Sequence, residues 1–250
     1  MNITFNIPVK IDSSDRLDNL KILVKYLQKF FPDQIINVCE NDATPTLNGL
    51  LDNVNYLFFE NKTHCVQKTK TLNHLCRNTK TDIFMNVDVD AIFHPDQIHE
   101  AYNMIKNGID MVYPYSGLFF NVPKHFVDQF VLTDYDFSFF NKENTQWWSG
   151  SSVGAGMMWN KKSYQDSGME NENFVGWGFE DDERYRRSLI LGLKVGRSNG
   201  PVYHMDHQRI SDNYKDQNQT RQNQNEFNKI NSMNREQLSH LIKTWSWLNV

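Results

Sequence analysis

Short apolar runs alternate with amphipathic helical patterns over the first 115 residues of the chain. Apolar runs predict strands at 3–9, 35–39, 54–59, 83–87 and 109–113. Helical spacing predicts a first helix that begins at the cap candidates 13–15, has its apolar positions at 17–27 and ends before Pro32, and further helices at 64–78 and 96–107. Strands that alternate with helices favour a mostly parallel sheet covered on both faces. The predicted fold class is therefore α/β, a single domain with a mostly parallel central sheet flanked by helices.

The second half of the chain continues this pattern with longer connections. Strands are predicted at 153–160, 194–197 and 201–205, helices at 161–167 and 180–191, and a glycine- and tryptophan-bearing loop at 171–179. Residues 133–150 are aromatic and polar without a clear period. From 211 to 234 the chain is rich in Asn and Gln, which predicts a solvated or conditionally ordered segment. Apolar residues from Leu238 to Leu248 then recur at helical spacing and predict a helix that docks on the domain or on a second copy.

Composition limits the classes of partner. The 250 residues carry a formal net charge of −4, with acids and bases scattered, so neither nucleic acid nor an anionic membrane is an expected partner. The start lacks the pattern of a signal peptide, and no stretch approaches the ~20 apolar residues of a membrane span, which predicts a cytoplasmic protein. The three cysteines show no CxxC spacing and are expected to be small core residues.

Two carboxylates follow the predicted strand at 83–87 directly. Asp88 and Asp90 would lie at the carboxyl end of a parallel strand, where α/β sheets bind ligands, and could hold a divalent cation against a diphosphate. A strand-end turn without a ligand is the alternative. Asp134-Tyr135-Asp136 repeats the spacing, but no buried strand precedes it, and we interpret it as a solvated loop.

Residues 176–183, Gly-Trp-Gly-Phe-Glu-Asp-Asp-Glu, form a second candidate site. Acids in the first turn of a helix complement its dipole, and the pairs Glu180/Arg184, Asp182/Arg186 and Glu183/Arg187 are spaced as i, i+4 ion pairs. Capping does not explain the Gly-Trp-Gly sequence, whose flat indole can stack on a sugar ring beside carboxylates that bind hydroxyls.

His204-Met205-Asp206-His207 follows the last predicted strand. Two imidazoles at i, i+3 beside a carboxylate are a plausible half of a metal site, and a surface pair without a metal is the alternative.

Together these segments resemble a known family. The order IPVK, NVDVDAIF, GAGMMWNKKSYQDSG, GWGFEDDE and HMDH is similar to the galactosyltransferase branch of GT-A enzymes, which includes β-1,4-galactosyltransferases and chondroitin-type polymerases. The resemblance covers most of residues 3–210. It implies a GT-A domain at 1–210, with a nucleotide-binding half at 1–115 and an acceptor and catalytic half at 116–210, followed by the segment 211–250.

The resemblance also implies roles for individual residues. Asp181 would be the general base, and the acceptor would be placed by Glu180, Asp182 and Trp177, the last on a mobile loop. Asp90, His204 and His207 would bind the metal. The donor and its nucleotide would be contacted by Pro8, Lys10, Asp42, Asp88 and Gly178. Lys10 stands where many relatives have arginine, which weakens a bidentate contact with phosphate. Phe179 replaces a small glycine of the family, so the resemblance does not determine which sugar is transferred.

The predicted function is an inverting, Mn²⁺-dependent transfer of a sugar from a UDP-sugar to an acceptor hydroxyl of a glycan, with Mg²⁺ or another divalent cation as the alternative metal. Asp181, packed near other carboxylates, is expected to have a raised pKa. The alternatives are a retaining GT-A transferase, a catalytically inactive module that binds a nucleotide-sugar or a glycan, and a metal-dependent phosphohydrolase. The amphipathic C-terminal helix makes a homodimer possible.

Overall fold

The computed structural model describes residues 1–63, 65–208 and 216–249. Within these ranges the chain forms eleven strands: β1 (Thr4–Val9), β2 (Ile35–Asp42), β3 (Asn55–Glu60), β4 (Ile83–Val87), β5 (Ala91–Phe93), β6 (Met111–Tyr113), β7 (Phe119–Val122), β8 (Gln146–Ser149), β9 (Gly156–Asn160), β10 (Val195–Arg197) and β11 (Val202–Met205). The same ranges contain eight α-helices: α1 (Ser14–Phe30), α2 (Lys68–Asn78), α3 (Pro95–Lys106), α4 (Lys124–Leu132), α5 (Lys161–Asp166), α6 (Glu180–Leu191), α7 (Gln217–Asn231) and α8 (Arg235–Ile242). Short 3-10 turns lie at Phe137–Phe139 and Ser246–Asn249.

The larger sheet has seven strands in the order β10-β6-β9-β4-β1-β2-β3. All neighbouring strands run parallel except β9, which is antiparallel to both β4 and β6. The predicted α/β class and mostly parallel sheet are confirmed. The antiparallel β9 means that the start of this strand, and not its end, lies at the edge where β1 and β4 end.

The smaller sheet has the order β5-β11-β7-β8 and adjoins that edge. β5 begins one residue after Asp90, and the backbone N–H of Met205 in β11 donates to the Asp90 carbonyl at 2.7 Å. This hydrogen bond places the chain that follows β11 beside the turn that follows β4.

The core explains why the first helix forms where the sequence predicts it. The Ser13 hydroxyl caps α1 by accepting from the Arg16 N–H, and Leu20, Leu23 and Leu27 of this helix are buried against the sheet. Cys39 and Cys76 are buried, as expected, whereas Cys65 is only partly buried.

Some boundaries and elements differ from the prediction. The helix predicted to begin at residue 64, which lies outside the described residues, begins at Lys68. The strand predicted from residue 153 begins at Gly156, because residues 151–155 line the cleft described below. β7, α4 and β8 lie where the sequence indicated no element.

The tail is more ordered than its composition suggests. Residues 209–215 lie outside the described residues, so the predicted domain boundary at 210 stays a prediction, but 217–231 form α7, with Asn223 and Ile230 buried. Leu238, Ile242 and Trp245 pack on Ile190 and Leu191 at the end of α6. The amphipathic tail therefore docks on its own domain, and dimerisation through it stays a prediction. None of the helices in the described ranges is both long enough and apolar enough to cross a membrane.

Candidate active site

A cleft of about 540 Å³ opens at the carboxyl ends of β1 and β4. The start of α2, the loop before β9 and the start of α6 form its other walls. Ten of the residues singled out by the sequence line it: Pro8, Lys10, Asp88, Asp90, Trp177, Glu180, Asp181, Asp182, His204 and His207. The fold therefore brings the three sequence-distant candidate sites to one place.

Two predicted donor residues lie beside the cleft and are not part of its lining. The Asp42 carboxylate is 3.5 Å from the Lys10 Nζ, so it touches the cleft through Lys10. Gly178 has a φ of 105°, which favours glycine, and its N–H donates to Glu180 Oε2 at 3.0 Å. Asp42 therefore contacts Lys10, and Gly178 contacts Glu180, and both of these partners line the cleft.

Asp90, His204 and His207 form a buried cluster whose ligand atoms all lie within 4.8 Å of one another. His207 Nε2 is 3.1 Å from Asp90 Oδ2, and His204 Nε2 is 3.6 Å from Asp90 Oδ1. One carboxylate and two imidazoles are a donor set that first-row divalent metals accept. The buried His204 Nδ1 atom has no hydrogen-bond partner among the described residues, so within them one nitrogen of the ring is unused. These residues fit a divalent cation.

Arg16, which the sequence analysis missed, also belongs to this cluster. Its Nη1 lies 2.8 Å from Asp90 Oδ2, and its Nη2 lies 3.3 Å from His207 Nε2. Burial alone would raise the pKa of Asp90, but His204, His207 and Arg16 together lower this pKa well below its ordinary value. Asp90 is therefore ionised and able to act as a ligand at neutral pH.

Lys68 connects the strand-end carboxylates with those of α6. Its Nζ lies 3.1 Å from Asp88 Oδ1 and 3.7 Å from both Glu180 Oε1 and Asp181 Oδ2. The first turn of α2 carries this lysine into the cleft, between two acidic groups that are far apart in sequence. No local pattern in the sequence pointed to it.

Asp181 is held from its other side by Arg184. Arg184 Nη1 lies 2.8 Å from Asp181 Oδ1, and Arg184 Nε lies 2.8 Å from Glu170 Oε1 in a fully buried pair. Burial would raise the pKa of Asp181, but Lys68 and Arg184 outweigh it, so this pKa is lowered. The expectation that the pKa of Asp181 is raised is wrong, because that expectation counted neighbouring carboxylates and not the two cations.

Glu180 has the opposite shift. Burial, with the charge of Asp181 adding to it, raises the pKa of Glu180 to about 7. Of the three predicted helix pairs, Glu183/Arg187 forms at 2.7 Å. Arg184 turns instead to Asp181 and Glu170, and the Arg186 Nε donates to Asn231.

Two tryptophans stand at the mouth of the cleft. Trp177 is 54% exposed and lies in the loop before α6, as predicted, and Trp148 of β8 is 57% exposed and lines the same cleft. Trp148 was missed because its surroundings in sequence show no strand period. Two exposed indoles beside carboxylates are suited to bind a sugar.

Comparisons with known proteins agree with this fold. A family model described as the N-terminal domain of galactosyltransferase matches residues 137–208, which include the α6 carboxylates and both histidines. No curated protein sequence matches the chain. Several solved structures share the fold.

The catalytic domain of Drosophila β1,4-galactosyltransferase 7, in complex with xylobiose, aligns with a TM-score of 0.56 at 14% identity, over 89% of this chain and 79% of that one. A mutant of the same enzyme, in complex with manganese, UDP-Gal and xylobiose, aligns with a TM-score of 0.53 at 12% identity. The alignment covers 88% of this chain and 79% of that one. Glucosyl-3-phosphoglycerate synthase from Mycobacterium tuberculosis, in complex with Mn²⁺, UDP and phosphoglyceric acid, aligns with a TM-score of 0.52 at 9% identity. The alignment covers 83% of this chain and 72% of that one.

The shared fold is that of GT-A nucleotide-sugar transferases, and the matched segment is similar to galactosyltransferases. Within this class, the chain has a galactosyltransferase-like fold, and the resemblance predicted from the sequence is confirmed. The predicted enzyme class, a glycosyltransferase, is confirmed at the level of family model and fold.

Proposed function

We propose that this chain transfers a sugar from a UDP-sugar to an acceptor hydroxyl, with inversion and with a divalent metal, preferably Mn²⁺. The observation that carries the proposal is the meeting of the Asp90, His204 and His207 cluster with Asp181 across one cleft. The ligands seen with the structural neighbours, manganese with UDP-Gal and Mn²⁺ with UDP, support this choice of donor and metal.

On the donor side, Asp90 and the two histidines would hold the metal, which when bound supplies positive charge to the departing diphosphate. Lys10 and Lys68 add two ammonium groups to the same cleft. Asp88, Pro8, Asp42 and Gly178 complete the proposed donor surface. Trp177, Glu180 and Asp182 would position the acceptor.

On the acceptor side, Asp181 accepts the proton of the attacking hydroxyl. Its lowered pKa makes it a weak base, so the proton moves only as the new bond to the anomeric carbon forms and the hydroxyl becomes acidic. Attack from the side opposite the leaving group in a single displacement inverts the anomeric configuration. With its pKa near 7, Glu180 is partly protonated at neutral pH and can donate a hydrogen bond to an acceptor oxygen.

The first experiment measures thermal stabilisation by UDP and a panel of UDP-sugars, each with and without Mn²⁺. We expect a shift that requires Mn²⁺ and disappears in Asp90→Asn. Turnover is then followed in Asp181→Asn, which should lose about 10²–10⁴-fold in kcat and keep the UDP shift.

Asp166→Asn, an exposed aspartate of α5, is the matched control and should behave as the wild type. A fully active Asp181→Asn would remove this residue from the mechanism, and a Mn²⁺-independent UDP shift would contradict the metal site. NMR analysis of the product anomer tests inversion, and retention would favour the alternative GT-A reaction. If no nucleotide changes the melting temperature of the folded protein, the result would favour the alternative of a binding module without turnover.

A further inference from the structure

The loop at 176–178, which carries Trp177, is in contact with the tail helix α7. Asn223 of α7 is 1% exposed, and its amide group faces the loop backbone. Its Nδ2 donates to the carbonyls of Val175 at 2.9 Å and Gly178 at 3.1 Å, and its Oδ1 accepts from the Val175 N–H at 3.4 Å. One side chain therefore holds the backbone on both sides of Trp177.

The next turn of α7 extends the same contact. Glu226 Oε1 accepts from Asn171 Nδ2 at 3.0 Å and from Asn173 Nδ2 at 3.1 Å, and the ring of Phe227 stacks on Phe179 with centroids 5.7 Å apart. The helix thus follows the chain from residue 171 to the residue that precedes α6. These contacts explain why a segment so rich in Asn and Gln is helical here.

The other side of the loop is held by the start of α2. The Gly176 N–H donates to the Val66 carbonyl at 2.9 Å, and the Thr69 hydroxyl donates to the Phe174 carbonyl at 3.0 Å. Phe179, which directly follows the loop, is a non-glycine residue in the left-handed region, with a φ of 69°. A backbone of this kind persists when surrounding contacts determine it.

We propose that Asn223 is a positioning residue for the acceptor site, which fixes the loop at 176–178 and through it Trp177. This inference rests on the proposed function, in which Trp177 contacts the acceptor. If Asn223 no longer holds the loop, the acceptor must order it on binding, which weakens acceptor binding. The proposed metal ligands and Lys10 lie on other elements, whereas Gly178, a proposed donor residue, belongs to the loop, so binding of UDP with the metal should change less than acceptor binding.

The test is the isosteric change Asn223→Asp. The aspartate loses both donated hydrogen bonds and places a negative charge against the carbonyls of Val175 and Gly178. Asn225→Asp makes the same charge change at an exposed position of the same helix and is the matched control. Phe227→Leu, which removes the stacking on Phe179 and stays apolar, is a second variant in case Asn223→Asp does not fold.

Hydrogen exchange, measured by mass spectrometry, follows the backbone amides of residues 175–179. We expect at least about tenfold faster exchange in Asn223→Asp and a wild-type rate in Asn225→Asp. The thermal shift with UDP and Mn²⁺ should match in the wild type and Asn225→Asp, and in Asn223→Asp it should change less than acceptor binding does. Equal exchange in Asn223→Asp and its control would overturn the proposal.

Kinetics with UDP-galactose as donor and xylobiose as acceptor probe connect the loop to acceptor binding. Asn223→Asp should raise KM for xylobiose about tenfold and change kcat less. In a Trp177→Ala background the same change should have little further effect, because residues that act through one contact are not additive. A full, additive effect in that background would show that Asn223 does not act through Trp177. A wild type that neither shifts with any nucleotide nor turns over contradicts the proposed function, whereas the exchange measurement still decides whether Asn223 fixes the loop.

Discussion

At the scale of single residues, Glu180 and Asp181 show how neighbours on one helix acquire different acidities. Both carboxylates lie in the cleft, but each oxygen of Asp181 faces a cation, Lys68 or Arg184. Glu180 is 6% exposed, and its Oε1 lies 3.7 Å from the Lys68 Nζ, farther than the 2.8 Å between Asp181 Oδ1 and Arg184 Nη1. Desolvation therefore dominates for Glu180, and opposite charge dominates for Asp181.

The raised pKa of Glu180 makes stability depend on pH. Above about pH 7 the folded protein buries an ionised carboxylate at a cost, and below the ordinary value of 4.5 the group is protonated in both states and the cost is absent. We expect Glu180→Gln to gain stability relative to the wild type as pH rises from 4.5 to 7, by roughly 1–3 kcal/mol. Denaturant unfolding of both proteins across this range measures the difference.

Glu143→Gln is the control for this prediction, since Glu143 is exposed. Its stability relative to the wild type should stay constant over the same range. A constant difference for Glu180→Gln as well would mean that the pKa of Glu180 is not raised in the folded protein.

The sequence predicted the acids and histidines of the site and one of its cations, Lys10, but it missed Arg16 and Lys68 and the contact of Arg184 with Asp181. Asp90, Asp181, His204 and His207 belong to short local patterns whose chemistry is recognisable before folding. Arg16, Lys68 and Arg184 look like ordinary helix residues, and only tertiary packing brings Arg16 to Asp90 across 74 positions. The wrong expectation for the pKa of Asp181 follows from this omission.

At the scale of elements, the loop before β9 determines the position of Asp181, the proposed base. A Cβ built on Gly154 would lie 2.7 Å from Asp181 Oδ2, closer than real contacts allow. The Gly154 carbonyl also accepts from the Tyr115 hydroxyl at 2.9 Å, so the loop has little freedom to retreat. Because Gly154 has no side chain, the Asp181 carboxylate has room to occupy its observed position.

We therefore expect Gly154→Ala to displace the Asp181 carboxylate and lower kcat about tenfold or more, because misplacing a reacting group by a fraction of an ångström is costly. Steady-state kinetics with the best donor found above provide the measurement. Gly150→Ala, in the same loop with no atom within 4 Å of the added Cβ, should keep wild-type kinetics. Equal rates for the two variants would argue against the contact.

Elements were predictable where a regular apolar period exists. The prediction of a helix at 180–191 matches α6, and β1, β2 and β4 lie within two or three residues of their predicted bounds. β8 was missed because Trp147 and Trp148 are both exposed, which leaves no alternation. α7 was missed because it has few apolar residues and many of its contacts with residues 171–179 are polar, such as those of Asn223 and Glu226, whereas a polar composition by itself indicates a solvated segment.

At the scale of the whole molecule, the tail is part of the folded unit. Trp245 is 4% exposed, and its ring packs so closely on Gly168 that a Cβ there would lie 2.7 Å from it. The Arg187 guanidinium lies 5.5 Å from the Trp245 ring centroid. The tail thus covers the helix that carries the proposed base.

We expect Trp245→Ala to destabilise the entire protein by about 3–5 kcal/mol, as removal of a buried aromatic side chain does. Unfolding followed by far-UV and near-UV circular dichroism should show one coincident transition in wild type and variant. Trp147→Ala, at a 67% exposed position, should have little effect. A separate early transition that is lost in Trp245→Ala would indicate that the tail unfolds independently.

The direction of β9 has a consequence for how such a protein can diversify. Because β9 runs away from the cleft, the chain that follows it turns at the opposite edge, where Lys161 N–H bonds the Asp82 carbonyl before β4 begins. It returns to the cleft only at 171–179. An insertion near α5 would therefore extend the remote edge, whereas the two cleft walls at 151–155 and 176–182 could change in length independently. New specificities for the proposed acceptor would then arise without any alteration of β4, β5 and β11, the strands that flank or contain the proposed metal ligands.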